Sequence, residues 1–119
     1  MITEEMKQLL NNNFSSVATC SLDGIPNVGP KGSVRAIDDH TLVYSEGTCR
    51  KTLNNLQENP RVAVMCAERS KQYGFQAKGQ ANIVDSGDIY NKIASRSVER
   101  GFPKPKYVVI IKVEEVFPV

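Results

Sequence analysis

The apolar residues of this chain arrive in short β-branched runs, and turn-forming or helix-breaking residues interrupt each run before it grows long. That spacing commits most of the chain to short strands with short connections, and short connections make antiparallel pairs. Residues 14–21 read Phe-Ser-Ser-Val-Ala-Thr-Cys-Ser, a β-rich run, and Asp23-Gly24 follows as a strong tight-turn dipeptide. Residues 25–37 then form a second extended segment, closing a hairpin. Asp38-Asp39 marks the next turn, and Thr41-Leu42-Val43-Tyr44-Ser45 is a third strand. Residues 61–67, 75–84 and 107–113 supply a fourth, fifth and sixth, the last apolar enough to be buried on both faces.

Helical spacing appears in three places. Ile2, Met6, Leu9 and Leu10 recur at helical intervals behind Thr3, which can cap a helix whose first turn carries Glu4 and Glu5. Gly47 breaks the third strand, and Thr48 opens a helix of about ten residues with Leu53 and Leu56 on one face, ending before Pro60. Residues 87–100 place Ile89, Ile93, Ala94 and Val98 on an inward face, and Phe102-Pro103-Lys104-Pro105 is a stiff connector to the final strand. Six strands with peripheral helices exclude a doubly wound parallel sheet. The expected fold is mainly β, a closed or nearly closed six-stranded antiparallel barrel.

Size and charge narrow the functional classes. At 119 residues the chain suits a single domain spanning 1–119, burying roughly two-thirds of its unfolded surface. A net charge of +2 names neither nucleic acid nor an anionic membrane as partner. Arg96, Arg100, Lys104 and Lys106 lack interleaved aromatics other than Phe102, so they read as a solvated face. No run reaches the roughly 18 apolar residues of a membrane span, and Met1-Ile2-Thr3-Glu4-Glu5 lacks the order of a signal peptide, so the chain reads as cytoplasmic. Cys20, Cys49 and Cys66 are odd in number and widely spaced, with one histidine, which argues against a disulfide framework or a zinc site. Cys20 and Cys66 read as small core residues.

Two segments carry the signs of a binding site. In Tyr44-Ser45-Glu46-Gly47-Thr48-Cys49-Arg50-Lys51-Thr52, a strand runs through a glycine into the first turn of a helix, with hydroxyls and two cations. A helix N-terminus offers unpaired N–H groups and partial positive charge, so this is an anion site. The plainer reading makes Thr48 an N-cap and Arg50 and Lys51 solvated. A P-loop is excluded, because Arg50 stands where the motif needs its second glycine. In Val28-Gly29-Pro30-Lys31-Gly32-Ser33-Val34, two glycines and a proline weaken a strand unless something lies against its backbone; the alternative is an edge distortion guarded by Lys31. His40 reads as a surface-turn residue. Glu114 and Glu115 are adjacent on a strand, which does not suit a cooperating carboxylate pair.

The order of these residues resembles one family. Val17-Ala18-Thr19 before the Asp23-Gly24 hairpin, then Pro30-Lys31-Gly32-Ser33, then Leu42-Val43-Tyr44-Ser45, Gly47-Thr48 and Lys51-Thr52, lead into Asn55-Leu56 and Asn59-Pro60-Arg61-Val62-Ala63-Val64. This looks like the pyridoxamine 5'-phosphate oxidase-like, flavin-binding split-barrel family, with Lys-Thr-x-x-Asn-Leu-x-x-Asn-Pro-x-Val as its most specific part. The resemblance implies a homodimer that binds FMN between subunits, with the phosphate at the helix after the third strand. Ser45, Gly47, Thr48, Lys51 and Thr52 would surround the phosphate and Arg50 would approach it. Pro30, Lys31, Gly32 and Ser33 would run along the isoalloxazine, where Lys31 would favour the anionic reduced flavin. The implied activity is that of a small oxidoreductase passing electrons from a reduced nicotinamide or protein donor to a small acceptor. A non-catalytic electron carrier and a deazaflavin or phosphate-ligand module remain alternatives.

Two departures stand out. The arginine–histidine signature that the oxidases use for pyridoxal phosphate is absent from the C-terminal half. Glu46 sets a carboxylate beside the phosphate site, which is tolerable only if strand alternation points it away.

Overall fold

The computed structural model describes residues 1–119. Its elements in chain order are α1 (Glu4–Asn12), β1 (Ser15–Cys20), β2 (Pro26–Lys31), β3 (Arg35–Asp38), β4 (Thr41–Glu46), α2 (Lys51–Glu58), β5 (Arg61–Glu68), β6 (Tyr73–Val84), α3 (Asp88–Glu99) and β7 (Tyr107–Pro118), with a 3-10 turn at Arg69–Lys71. Thr3 caps α1 as its position predicts, its Oγ1 accepting from the Met6 N–H at 3.2 Å. The other end of α1 is also satisfied. Asn13 Nδ2 donates to the Leu9 carbonyl at 3.0 Å and Arg35 Nη1 donates to the Leu10 carbonyl at 2.9 Å.

All seven strands join one antiparallel sheet in the order β2-β1-β5-β6-β7-β4-β3. The sheet curls but does not close, because β2 and β3 are its two free edges. The sequence reading of six strands is corrected here. Residues 25–37 are not one strand but two, and residues 32–34 carry the chain from one edge of the sheet to the other. The first three strands are therefore not neighbours in a row: β1 pairs with β5, and β4 with β7. Pro26 and Pro30 explain the placement, since a residue without an N–H is tolerated on an edge strand.

Alternation along the strands builds the core. Val17, Leu42, Tyr44, Val62, Val64, Phe75, Val109, Ile111 and Val113 face the interior, and Ile2, Met6, Leu9 and Leu10 of the N-terminal segment pack onto them. A smaller cluster forms on the opposite face of β4 and β7, where α3 lays Tyr90, Ile93 and Ala94 over Val43 and Val108. The prediction that β7 is buried on both faces holds there. Val98, expected to face inward, lies 53% exposed near the end of α3, and Tyr90 takes the inward role, its hydroxyl donating to the Pro105 carbonyl at 2.7 Å. Of the two cysteines read as core, Cys66 is buried and Cys20 is half-buried. Burial pushes the Cys66 thiol above its ordinary range, and its Sγ lies 3.4 Å from the Leu9 carbonyl. No helix is long and apolar enough to cross a membrane.

The long strands β6 and β7 bend at a bulge between Lys78 and Gly79. A Cβ at Gly79 would run into the Lys112 carbonyl group, so this glycine is required by close backbone approach. Gly79→Ala is expected to destabilise the fold by about 1–3 kcal/mol, because the backbone rather than a flexible side chain must yield. Urea unfolding checks this, and an unchanged midpoint would show that the bulge relaxes freely.

Candidate functional site

The two segments singled out from sequence meet in space. On β2, Asn27, Gly29 and Lys31 share the face that looks toward α2. Asn27 Nδ2 donates to Thr52 Oγ1 at 3.4 Å, and a Cβ at Gly29 would lie 3.2 Å from the same hydroxyl oxygen. Thr52 of α2 is therefore what lies against the β2 backbone at Gly29. At Gly32 the neighbour is Phe14, whose ring a Cβ would meet at 3.1 Å. Both glycines are accounted for by the chain's own side chains.

At the far end of β2, Lys31 reaches across to β4. Its Nζ donates to both carboxylate oxygens of Glu46 at 3.0 Å and lies 5.4 Å from the centre of the Tyr44 ring. Glu46 is fully buried, and the Lys31 side chain is only 13% exposed. The carboxylate also accepts from Thr48 Oγ1 at 3.3 Å and from the Cys49 N–H at 3.2 Å, both on Oε2. Each buried charge thus has a partner, as burial demands. The requirement that Glu46 point away from the site is overturned. Leu42, Tyr44 and Glu46 share one parity on β4, so Glu46 faces inward with the core residues that precede it.

The opposite parity carries Ser45 elsewhere. Its Oγ lies 3.1 Å from Ser97 Oγ on α3, and its N–H donates to Ser33 Oγ at 3.1 Å. The Ser45 and Ser97 hydroxyls thus pair on the face opposite Glu46, while the Ser33 hydroxyl serves the Ser45 backbone. Pro30 likewise points outward from the sheet and is exposed.

The turn into α2 also differs from its sequence reading. Thr48 does not cap the helix, because its hydroxyl is committed to Glu46. Cys49 takes a left-handed conformation at φ 53°, and the N-cap position falls to Arg50, which has no capping side-chain hydrogen bond. A left-handed non-glycine residue costs roughly 1–2 kcal/mol, which the Cys49–Glu46 hydrogen bond helps offset. The helix consequently starts at Lys51. Arg50 and Lys51 are exposed and form no ion pair, and a Cβ at Gly47 would meet nothing within 4 Å.

Lys31, Thr48 and Thr52 are thus brought together around Glu46 and the start of α2; Arg50, Lys51 and Gly47 border the same turn on its open side. Ser33, Ser45, Pro30 and Gly32 lie apart from that centre. Sequence reasoning missed Tyr44 and Ser97. The Tyr44 hydroxyl is buried without a hydrogen-bond partner, and burial together with the Glu46 charge holds its phenol well above the usual range. It stays protonated, so it is no base at neutral pH. His40, in the β3–β4 turn, is exposed and its N–H donates to Asp38 Oδ1 at 2.8 Å.

A phosphate group fits this donor set. An uncapped helix start offers N–H groups to an anion, and two unpaired cations flank it. Residues 2–119 match the pyridoxamine 5'-phosphate oxidase family model.

The chain belongs to the pyridoxamine 5'-phosphate oxidase family.

Its similarities span nearly the whole length. An uncharacterized protein of Methanocaldococcus jannaschii is 36% identical, covering 98% of this chain and 79% of its own. HupZ of Group A Streptococcus is 38% identical and superposes with a TM-score of 0.94, covering 100% of this chain and 94% of that one. An FMN-binding protein of Syntrophomonas wolfei, 20% identical, shares the fold at a TM-score of 0.83, covering 99% of this chain and 86% of that one.

Proposed function

We propose that this chain binds FMN as a homodimer and works as a small oxidoreductase, taking electrons from a reduced nicotinamide or protein donor and passing them to a small acceptor. The observation that carries the reading is the start of α2, where an uncapped helix end lies beside the unpaired cations Arg50 and Lys51. The family membership and the FMN-binding relative of the same fold support a flavin phosphate over other phosphates.

Arg50 and Lys51 would hold the phosphate together with the first N–H groups of α2, and Gly47 leaves the approach clear. Lys31, only 13% exposed and held by Glu46, lies behind that turn, with the wholly buried Tyr44 beside it. When bound, FMN supplies the hydride and electron chemistry, so the protein needs no acid, base or nucleophile of its own. The Tyr44 phenol is wholly buried and stays neutral, so it does not act as a base.

The second subunit is supported by an uncovered face. On the outer side of β2, β1 and β5, Val28, Ala18 and Ala63 lie opposite one another in register, and Pro30, Ser16 and Met65 form the next row. Val28 is 67% exposed and Met65 37% exposed, no helix covers these rows, and the small Ser16, Ala18 and Ala63 between them leave room for a second sheet.

The test of activity is anaerobic mixing of the FMN-loaded protein with NADH or NADPH, following the flavin band near about 450 nm. Reduction faster than that of free FMN is the expected result. A rate no better than free FMN with both donors would overturn the nicotinamide-dependent activity and leave a carrier.

A further inference from the structure

We infer that Glu46 is a displaceable internal anion, which holds the donors of the α2 turn and gives them up when a phosphate monoester binds. The inference rests on the reading of the start of α2 as the phosphate site. Its four polar contacts are Lys31 Nζ on both oxygens at 3.0 Å, Thr48 Oγ1 at 3.3 Å and the Cys49 N–H at 3.2 Å. An ammonium, a hydroxyl and a backbone N–H just before a helix are the donor types that bind a phosphate. Here a carboxylate from the preceding strand already has them.

A dianionic phosphate and a buried carboxylate do not share such donors cheaply, because two like charges a few ångströms apart repel strongly where water is excluded. The free cations Arg50 and Lys51 lie on the outer side of the same turn and receive the phosphate first. For Lys31, Thr48 and Cys49 to join them, the Glu46 carboxylate has to release its bonds. Cys49 sits at φ 53°, a conformation that the hydrogen bond of its N–H to Glu46 helps to hold, so releasing that bond frees the turn to relax. Gly47, between the carboxylate and the turn, has open space around it. Phosphate affinity is then set by exchange between two anions, and Glu46 lowers it.

The experiment uses three probes, inorganic phosphate, FMN and riboflavin, the last a flavin without phosphate. Inorganic phosphate is titrated into the wild-type protein and Glu46→Gln, and binding is read by calorimetry. Glu46→Gln is expected to bind inorganic phosphate about tenfold more tightly; equal or weaker binding would show that Glu46 positions the donors rather than competing for them. Because Glu46→Gln leaves Lys31 without its counter-charge and can unfold, the second readout is the Glu46 carboxyl-carbon resonance in wild-type protein. FMN and inorganic phosphate are expected to shift it and riboflavin to leave it in place. FMN binding with that resonance unmoved overturns the inference and keeps the flavin reading. A shift with inorganic phosphate but no binding of either flavin does the reverse.

Discussion

Lys31→Met is expected to destabilise the protein by about 3–5 kcal/mol, the loss that follows when one member of a buried ion pair is removed. Glu46 is wholly buried, so without the Lys31 ammonium its charge keeps only the Thr48 hydroxyl and the Cys49 N–H. The expected change is large because the cost is that of an uncompensated charge, not of lost packing. Lys31→Met combined with Glu46→Leu is therefore expected to recover most of the stability, since well-packed apolar residues replace buried ion pairs at little cost or with gain. Urea unfolding of the two single variants and the double variant measures the coupling. A loss below about 1 kcal/mol in Lys31→Met would mean that the pair is solvated in practice.

Removing the two outer cations together gives the largest expected effect on binding. Arg50→Ala with Lys51→Ala is expected to weaken FMN binding about 100-fold, if each charge-assisted contact contributes at least about 1.4 kcal/mol. Both side chains are exposed and unpaired, so the melting temperature is expected to stay within about a degree or two of the wild type. Fluorescence titration with FMN reads the affinity. An unchanged Kd would place the phosphate elsewhere, and the hydroxyls of Ser33, Ser45 and Ser97 would become the next place to look.

Local chemistry made much of the fold legible. Thr3 as a cap, Asp23-Gly24 as a hairpin turn and Pro60 as a stop each act over a few residues, and the structure keeps all three. The division of residues 25–37 was not legible, because both halves are extended and only the long-range pairing of β2 with β1 and of β3 with β4 separates them. Pro26 and Pro30 held the clue, since two prolines four residues apart argue for an edge. Strand ends were the weaker part: β7 continues to Pro118, five residues past the apolar run, because β6 pairs with it along its length.

The candidate segments stood out by composition, and the facing of Glu46 and Ser45 on β4 was the part not read. Hydroxyls, cations and a glycine at a strand-to-helix turn pointed to the start of α2, where Lys31 also arrives from a segment some fifteen residues earlier. The parity of β4 was available: with Leu42 and Tyr44 taken as core, Glu46 had to face inward and Ser45 outward. The α2 start was placed too early because a threonine before a helix reads as a cap, whereas Thr48 serves the buried carboxylate two residues before it. Ser97 gave no signal, because nothing in its own helix marks a serine that meets another strand's serine.

The central claim is that this family member holds FMN through its phosphate, and its most direct test is a desalting experiment. FMN and riboflavin are added separately to the purified protein, excess flavin is removed, and the absorbance of the protein fraction is recorded. The expected result is one FMN retained per chain on a particle of about twice 13.2 kDa by light scattering, with riboflavin lost. Loss of both flavins, or equal retention of the two, would contradict it.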